Sequence, residues 1–120
     1  SVELVESTLS SLLRRLKAAR FTHGDLHLQN VVYSARKGEP MLIDFDKSNM
    51  REFYPLVDAS MFLYSLSQYA YRTKQSAAMP AIERAVNRAA QEYLSEPLVA
   101  DDTSRHLGLQ YRYMLSDYSL

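Results

Sequence analysis

The chain of 120 residues contains no cysteine, which excludes disulfide staples and thiolate metal sites and leaves stability to a hydrophobic core. It has no surplus of charge: 14 Lys and Arg balance 14 Asp and Glu, so no overall field recruits nucleic acid or an anionic membrane. No run of eighteen apolar residues occurs, and the N-terminal stretch lacks the basic-then-apolar pattern of a signal peptide. The sequence therefore reads as a soluble, cytoplasmic domain with no membrane span. Three glycines, at 24, 38 and 108, are too scattered to form a phosphate-cradling loop.

What is present is 47% hydrophobic and 23% charged, a globular composition at a length that supports one domain over 1–120 with one modest core. Val2, Leu4, Val5, Leu9, Leu12, Leu13 and Leu16 recur at spacings of three and four, which predicts an amphipathic helix over 2–19. Arg14, Arg15, Lys17 and Arg20 read as its solvated face. The short β-prone runs VVY (31–33) and MLI (41–43) flank SARKGEP, where Gly38 and Pro40 predict a hairpin turn. Residues 56–71 are apolar nearly all round a helix, so a buried central helix is expected there, with Pro55 at its start. A further helix is predicted over 79–94, EPLVADD as a linker, and a last helix over Thr103–Tyr118. The expected fold class is α+β, mainly α, with one small hairpin.

The densest polar stretch is HGDLHLQN, residues 23–30, and three chemistries compete for it. Metal-assisted hydrolysis would use His23, Asp25 and His27 as ligands, but the one other histidine, His106, lies isolated in the presumed last helix. Nucleophilic catalysis finds Ser34 and Ser48 outside any glycine-flanked elbow. Phosphoryl transfer needs a carboxylate to orient or deprotonate a hydroxyl, and oxygen ligands for Mg²⁺. Kinase catalytic loops place an Asn five residues after their Asp, and a second Asp at a strand end. Here Asn30 follows Asp25 by five positions, and Asp44 directly follows the apolar run MLI.

HGDLHLQNVVY followed by MLIDFD resembles the kinase-like phosphotransferases of the aminoglycoside and choline kinase type, sharply over 21–63 and as a helical pattern beyond. The resemblance implies a protein-kinase-like C-terminal lobe and an ATP- and Mg²⁺-dependent transfer to a small-molecule hydroxyl acceptor. Asp25 would be the catalytic base, Asn30 and Asp44 would hold Mg²⁺ beneath the nucleotide phosphates, and His27 would sit close to the transferring phosphate. His23 would be scaffold. Asp58, at the start of the central helix, is either a helix-start charge or, as the resemblance implies, the acceptor for catalytic-loop amides.

Some features depart from that pattern. Leu28-Gln29 stands where relatives commonly have Pro-Gly, and Asp46 replaces the glycine of the protein-kinase Asp-Phe-Gly motif. The stretch IDFDKS also resembles sugar kinases acting on the lipopolysaccharide inner core. Only fourteen positions lead from Asp44 to Asp58, too few for a peptide-docking activation segment, which favours a small acceptor such as an aminoglycoside, a choline-like alcohol or a sugar. The strand lysine and phosphate-covering loop of an N-terminal lobe do not occur in the sequence, so such a lobe or a partner segment is expected to supply them. A cleft wall exposed without it would promote self-association. Tyr64, Tyr69, Tyr71, Tyr111, Tyr113 and Tyr118 either line an acceptor pocket or fill core and interface, and Asp101 and Asp102 either attract an aminated acceptor or belong to a solvated linker. The competing class is a non-catalytic binding or scaffold module; the joint presence of Asp25, Asn30 and Asp44 favours the enzyme.

Overall fold

Leu9, Leu12, Leu13 and Leu16 form one buried stripe along helix α1 (Val2–Ala19), as their spacing predicts. In the computed structural model, which describes residues 2–43 and 51–98, a polar loop then leads to an antiparallel ribbon, β1 (Val31–Ser34) and β2 (Glu39–Leu42). Helices α2 (Pro55–Arg72) and α3 (Met79–Ala90) follow, and single 3₁₀ turns precede β1 and α3. The described fold is mainly helical with one small sheet, the expected α+β class. α1 lies chiefly against α3, whose buried Ala85, Ala89 and Ala90 are small enough to let two helices approach closely. Phe62, Leu63 and Leu66 of α2 complete the core with Leu26 from the loop. Each such side chain removed from water contributes about 1.5–3 kcal/mol. Tyr64 is half-buried against this core, whereas Tyr69 and Tyr71 are exposed and lie outside it. Arg14, Arg15, Lys17 and Arg20 are exposed, the solvated face expected of them.

The ribbon corrects one expectation. Pro40 is not in the turn but within β2, opposite Tyr33. Ile43 N donates to Asn30 O at 3.0 Å, so residues 30 and 43 form a hydrogen-bonded pair, and the alternation makes Tyr33–Pro40 a non-bonded one. A proline fits there because no ladder donor is needed. The turn itself closes at Gly38, whose φ of +63° lets its amide reach Ser34 O at 2.8 Å.

The expected third helix over 79–94 ends instead at Ala90, and part of the expected linker docks. Asn87 Nδ2 donates to Leu98 O at 2.8 Å, and Leu98 N donates to Asn87 Oδ1 at 2.7 Å. One side-chain amide thus takes the place of a neighbouring strand and folds 96–98 back, with Leu98 entering the core. The predicted helix over 103–118, with His106 and its tyrosines, and the candidates Asp44, Asp46 and Ser48 lie outside the described residues.

α1 and α2 end alike. Phe21 N reaches Leu16 O at 3.0 Å and Arg20 N reaches Lys17 O at 3.1 Å; Gln75 N reaches Ala70 O at 2.7 Å and Lys74 N reaches Tyr71 O at 3.2 Å. Both are Schellman closures, in which the residue after the helix is left-handed and usually glycine. Here Arg20 (φ 54°) and Lys74 (φ 58°) occupy those positions. A left-handed side-chain-bearing residue costs roughly 1–2 kcal/mol, offset in part by glycine's greater unfolded-state entropy. Lys74→Gly should therefore stabilise the protein by about 0.5–1 kcal/mol in chemical denaturation, and a loss of stability would show that Lys74 contributes more than its backbone geometry.

Candidate active site

The loop between α1 and β1 leaves its helix at a left-handed residue and immediately buries Thr22 and His23, neither with any exposure. Burying backbone amides this deeply requires acceptors, and Asp58 supplies them from the first turn of α2. Its Oδ2 accepts from His23 N at 2.9 Å and its Oδ1 from Gly24 N at 3.0 Å. Asp58 has no exposed surface. Burial pushes its carboxyl from an ordinary 3.8 up to about 6, against the Gly24 and His23 amide bonds and the nearby His23 ring, which pull it down.

His23 is fixed on both sides of its ring. Nδ1 accepts from Asp25 N at 3.1 Å, which puts the proton on Nε2, 2.9 Å from Ile43 O. Both nitrogens are spent on backbone, so neither has a lone pair for a metal ion. Among the described residues, no three His, Asp or Glu side chains cluster as a metal site would require. The metal-hydrolysis alternative loses its first ligand here. His23 is the scaffold that ties the loop to the end of the ribbon.

Gly24, with φ +86°, turns the chain so that Asp25 leaves the interior. Asp25 and His27 keep 15% and 23% side-chain exposure. Asn30, buried at the end of the 3₁₀ turn, donates from Nδ2 to Asp25 O at 2.8 Å and to Asp25 Oδ2 at 3.3 Å. His27 Nδ1 accepts from Gln29 N at 3.2 Å. Its proton therefore sits on Nε2, 3.4 Å from Asp25 Oδ2. Asn30 thus donates to this carboxylate oxygen, and the His27 ring lies beside both groups, its Nε2 3.4 Å from Asp25 Oδ2 and 3.4 Å from Asn30 Nδ2. Asp25 Oδ1 and Asn30 Oδ1 have no hydrogen-bond partner among the described residues. The sequence-level candidates Asp25, His27 and Asn30 are together, with His23 and Asp58 beneath them.

A match to the family model of the phosphotransferase enzyme family spans residues 2–96. The chain belongs to that family. No curated protein and no solved structure matches it significantly. The matched span includes the whole loop, the ribbon and all three described helices of this phosphotransferase. No helix among the described residues is long and apolar enough to cross a membrane.

Sequence reasoning passed over Thr22. Its Oγ1 donates to Glu52 O at 2.5 Å and accepts from Tyr54 N at 2.7 Å. The signal available was a hydroxyl residue set directly before the buried histidine, which by itself reads as ordinary loop polarity.

Because Asp58's folded pKa is raised, the native state holds that proton more tightly than the unfolded chain. The associated stabilisation is fully present below about pH 4 and is lost as pH rises through about 6. At ~1.4 kcal/mol per pH unit, stability relative to Asp58→Asn should fall by about 3 kcal/mol between pH 4 and 7 in denaturant titrations. A flat difference would show that the two amide bonds hold the carboxyl at its ordinary value.

Proposed function

We propose that this chain is the C-terminal catalytic lobe of a kinase that moves the γ-phosphoryl group of ATP to a hydroxyl of a small molecule. The observation that carries this reading is the Asp25–His27–Asn30 cluster, in which Asn30 holds one carboxylate oxygen with His27 beside it, and the other oxygen, unpartnered among the described residues, is left to take a proton. An acceptor hydroxyl lying against Asp25 Oδ1 gives up its proton there as its oxygen attacks the γ-phosphorus. The new O–P bond forms as the bond to the bridging oxygen breaks, and ADP departs. His27, beside Asp25, offers an Nε2–H donor to charge developing on the transferring group. Asn30 and, by motif, Asp44 are hard oxygen donors of the kind Mg²⁺ prefers. The Oδ1 of Asn30 suits that ion, since its amide nitrogen is already committed to Asp25. Asn30, together with Asp44 by motif, would hold Mg²⁺, which when bound neutralises phosphate charge.

A second lobe is part of this proposal. The described residues hold a single two-stranded ribbon, which offers one wall of a nucleotide cleft. The lysine for the phosphates and most of the adenine pocket would come from that lobe or from a partner segment. The acceptor is read as an aminoglycoside, a choline-like alcohol or a sugar, from the short interval between Asp44 and Asp58.

In the assembled enzyme, Asp25→Asn should lower kcat by ~10²-fold or more with Mg-ATP affinity nearly unchanged, because base and positioning effects act mainly in the transition state. Turnover above about a tenth of wild type would remove Asp25 from this role. The 120 residues alone should show no micromolar heat of binding with Mg-ATP in calorimetry, since a site open to water gives weak charge stabilisation. Micromolar binding by the isolated chain would overturn the two-lobe reading.

A further inference from the structure

We propose that Thr22 is a positioning residue for the transfer reaction, holding Asp25 in place through a closed ring of hydrogen bonds; this rests on the phosphoryl-transfer reading above. Thr22 is fully buried, and its single hydroxyl is used in both directions. It donates to Glu52 O and accepts from Tyr54 N, partners thirty and thirty-two residues away. A buried hydroxyl satisfied twice by backbone from one distant strap is a clamp, because neither strap group can leave without stranding a polar atom.

The strap leads straight into α2. Val57 N donates to Tyr54 O at 3.1 Å, Pro55 is the first residue of the helix, and Asp58 stands in its first turn. Asp58 in turn binds the amides of His23 and Gly24, the two residues after Thr22. The circuit therefore runs from Thr22 to Tyr54, through the first turn of α2 to Asp58, and back to the loop. Phe21 is tied to the end of α1, and Asp58 fixes the two amides after Thr22. The Thr22 hydroxyl adds the tie between them and the strap, so the bend at Gly24 (φ +86°) delivers Asp25 in one orientation. Phe53, between the two strap groups, packs edge-on against Tyr93 at 5.4 Å between ring centroids, which seats the strap on the body of the protein. Small misplacements of a catalytic group are costly: about 1 Å is worth up to ~10²-fold in rate.

Thr22→Val tests this, since valine keeps the shape and removes only the hydroxyl. In the assembled enzyme, with folding verified by melting, kcat should fall about tenfold or more while KM for Mg-ATP stays within about twofold. Thr22→Ser, which keeps the hydroxyl, should restore kcat to within about threefold of wild type. If Thr22→Val does not fold, Thr22→Cys, with its weaker donor, reads the same contrast. A folded Val or Cys variant with wild-type kcat overturns the proposal, as does a Ser variant no better than Val, because both results would make Thr22 merely structural. A wild-type enzyme that phosphorylates no hydroxyl acceptor would overturn the transfer reading and this proposal with it. A transferring wild type matched by Thr22→Val overturns this proposal alone.

Discussion

A carboxylate with no exposure to solvent accepts two backbone amides from a loop thirty-four and thirty-five residues earlier, and the arrangement of the site follows from that contact. Without Asp58 the amides of His23 and Gly24 would be buried donors with no acceptor, each costing about 1–3 kcal/mol. With it, a loop that would otherwise lie on the surface can run through the interior for three residues and still emerge at Asp25. The cost is visible in the carboxyl itself, pushed up to about 6 by its own burial. The protein holds an unfavourable charge at the base of the site so that the reactive side chains above it are placed by backbone, which bends less than side chains do.

The reactive layer is correspondingly simple. Asn30 donates to one oxygen of Asp25 and His27 lies beside that same oxygen, which differentiates two otherwise equivalent carboxylate atoms. Both residues come from within five positions of Asp25, so the local chain sets their geometry, while Asp58, Ile43 and Thr22 set the position of the whole cluster. Short-range contacts tune the group and long-range contacts place it.

That division explains what was legible in the sequence. Helix α1 follows from its leucine spacing, and the Asp25–Asn30 interval is visible because both residues lie in one stretch. The role of Asp58 could be weighed only because its helix begins so sharply at Pro55. Thr22 could not be found this way, since its partners are main-chain atoms of Glu52 and Tyr54, and backbone atoms leave no residue-type signature. The same holds for Asn87, whose amide binds the backbone of Leu98 and folds part of the expected linker back onto the core. Pro40 misled for the converse reason: its turn propensity is real, but the register puts it where a strand needs no donor.

Pro40 also has a bearing on how this ribbon meets other chains. At a non-bonded pair, the amide and carbonyl of the residue face away from its partner strand, so those of residue 40 face the outer edge of β2. Proline removes the amide hydrogen, and the Arg15 guanidinium from α1 caps the carbonyl. The open edge of a two-stranded sheet is a template for strand addition, and natural proteins blunt such edges with proline and with covering side chains. Here both devices act on a single residue, so an incoming strand finds neither donor nor free acceptor at the middle of β2, and the ribbon stays two strands wide along that edge.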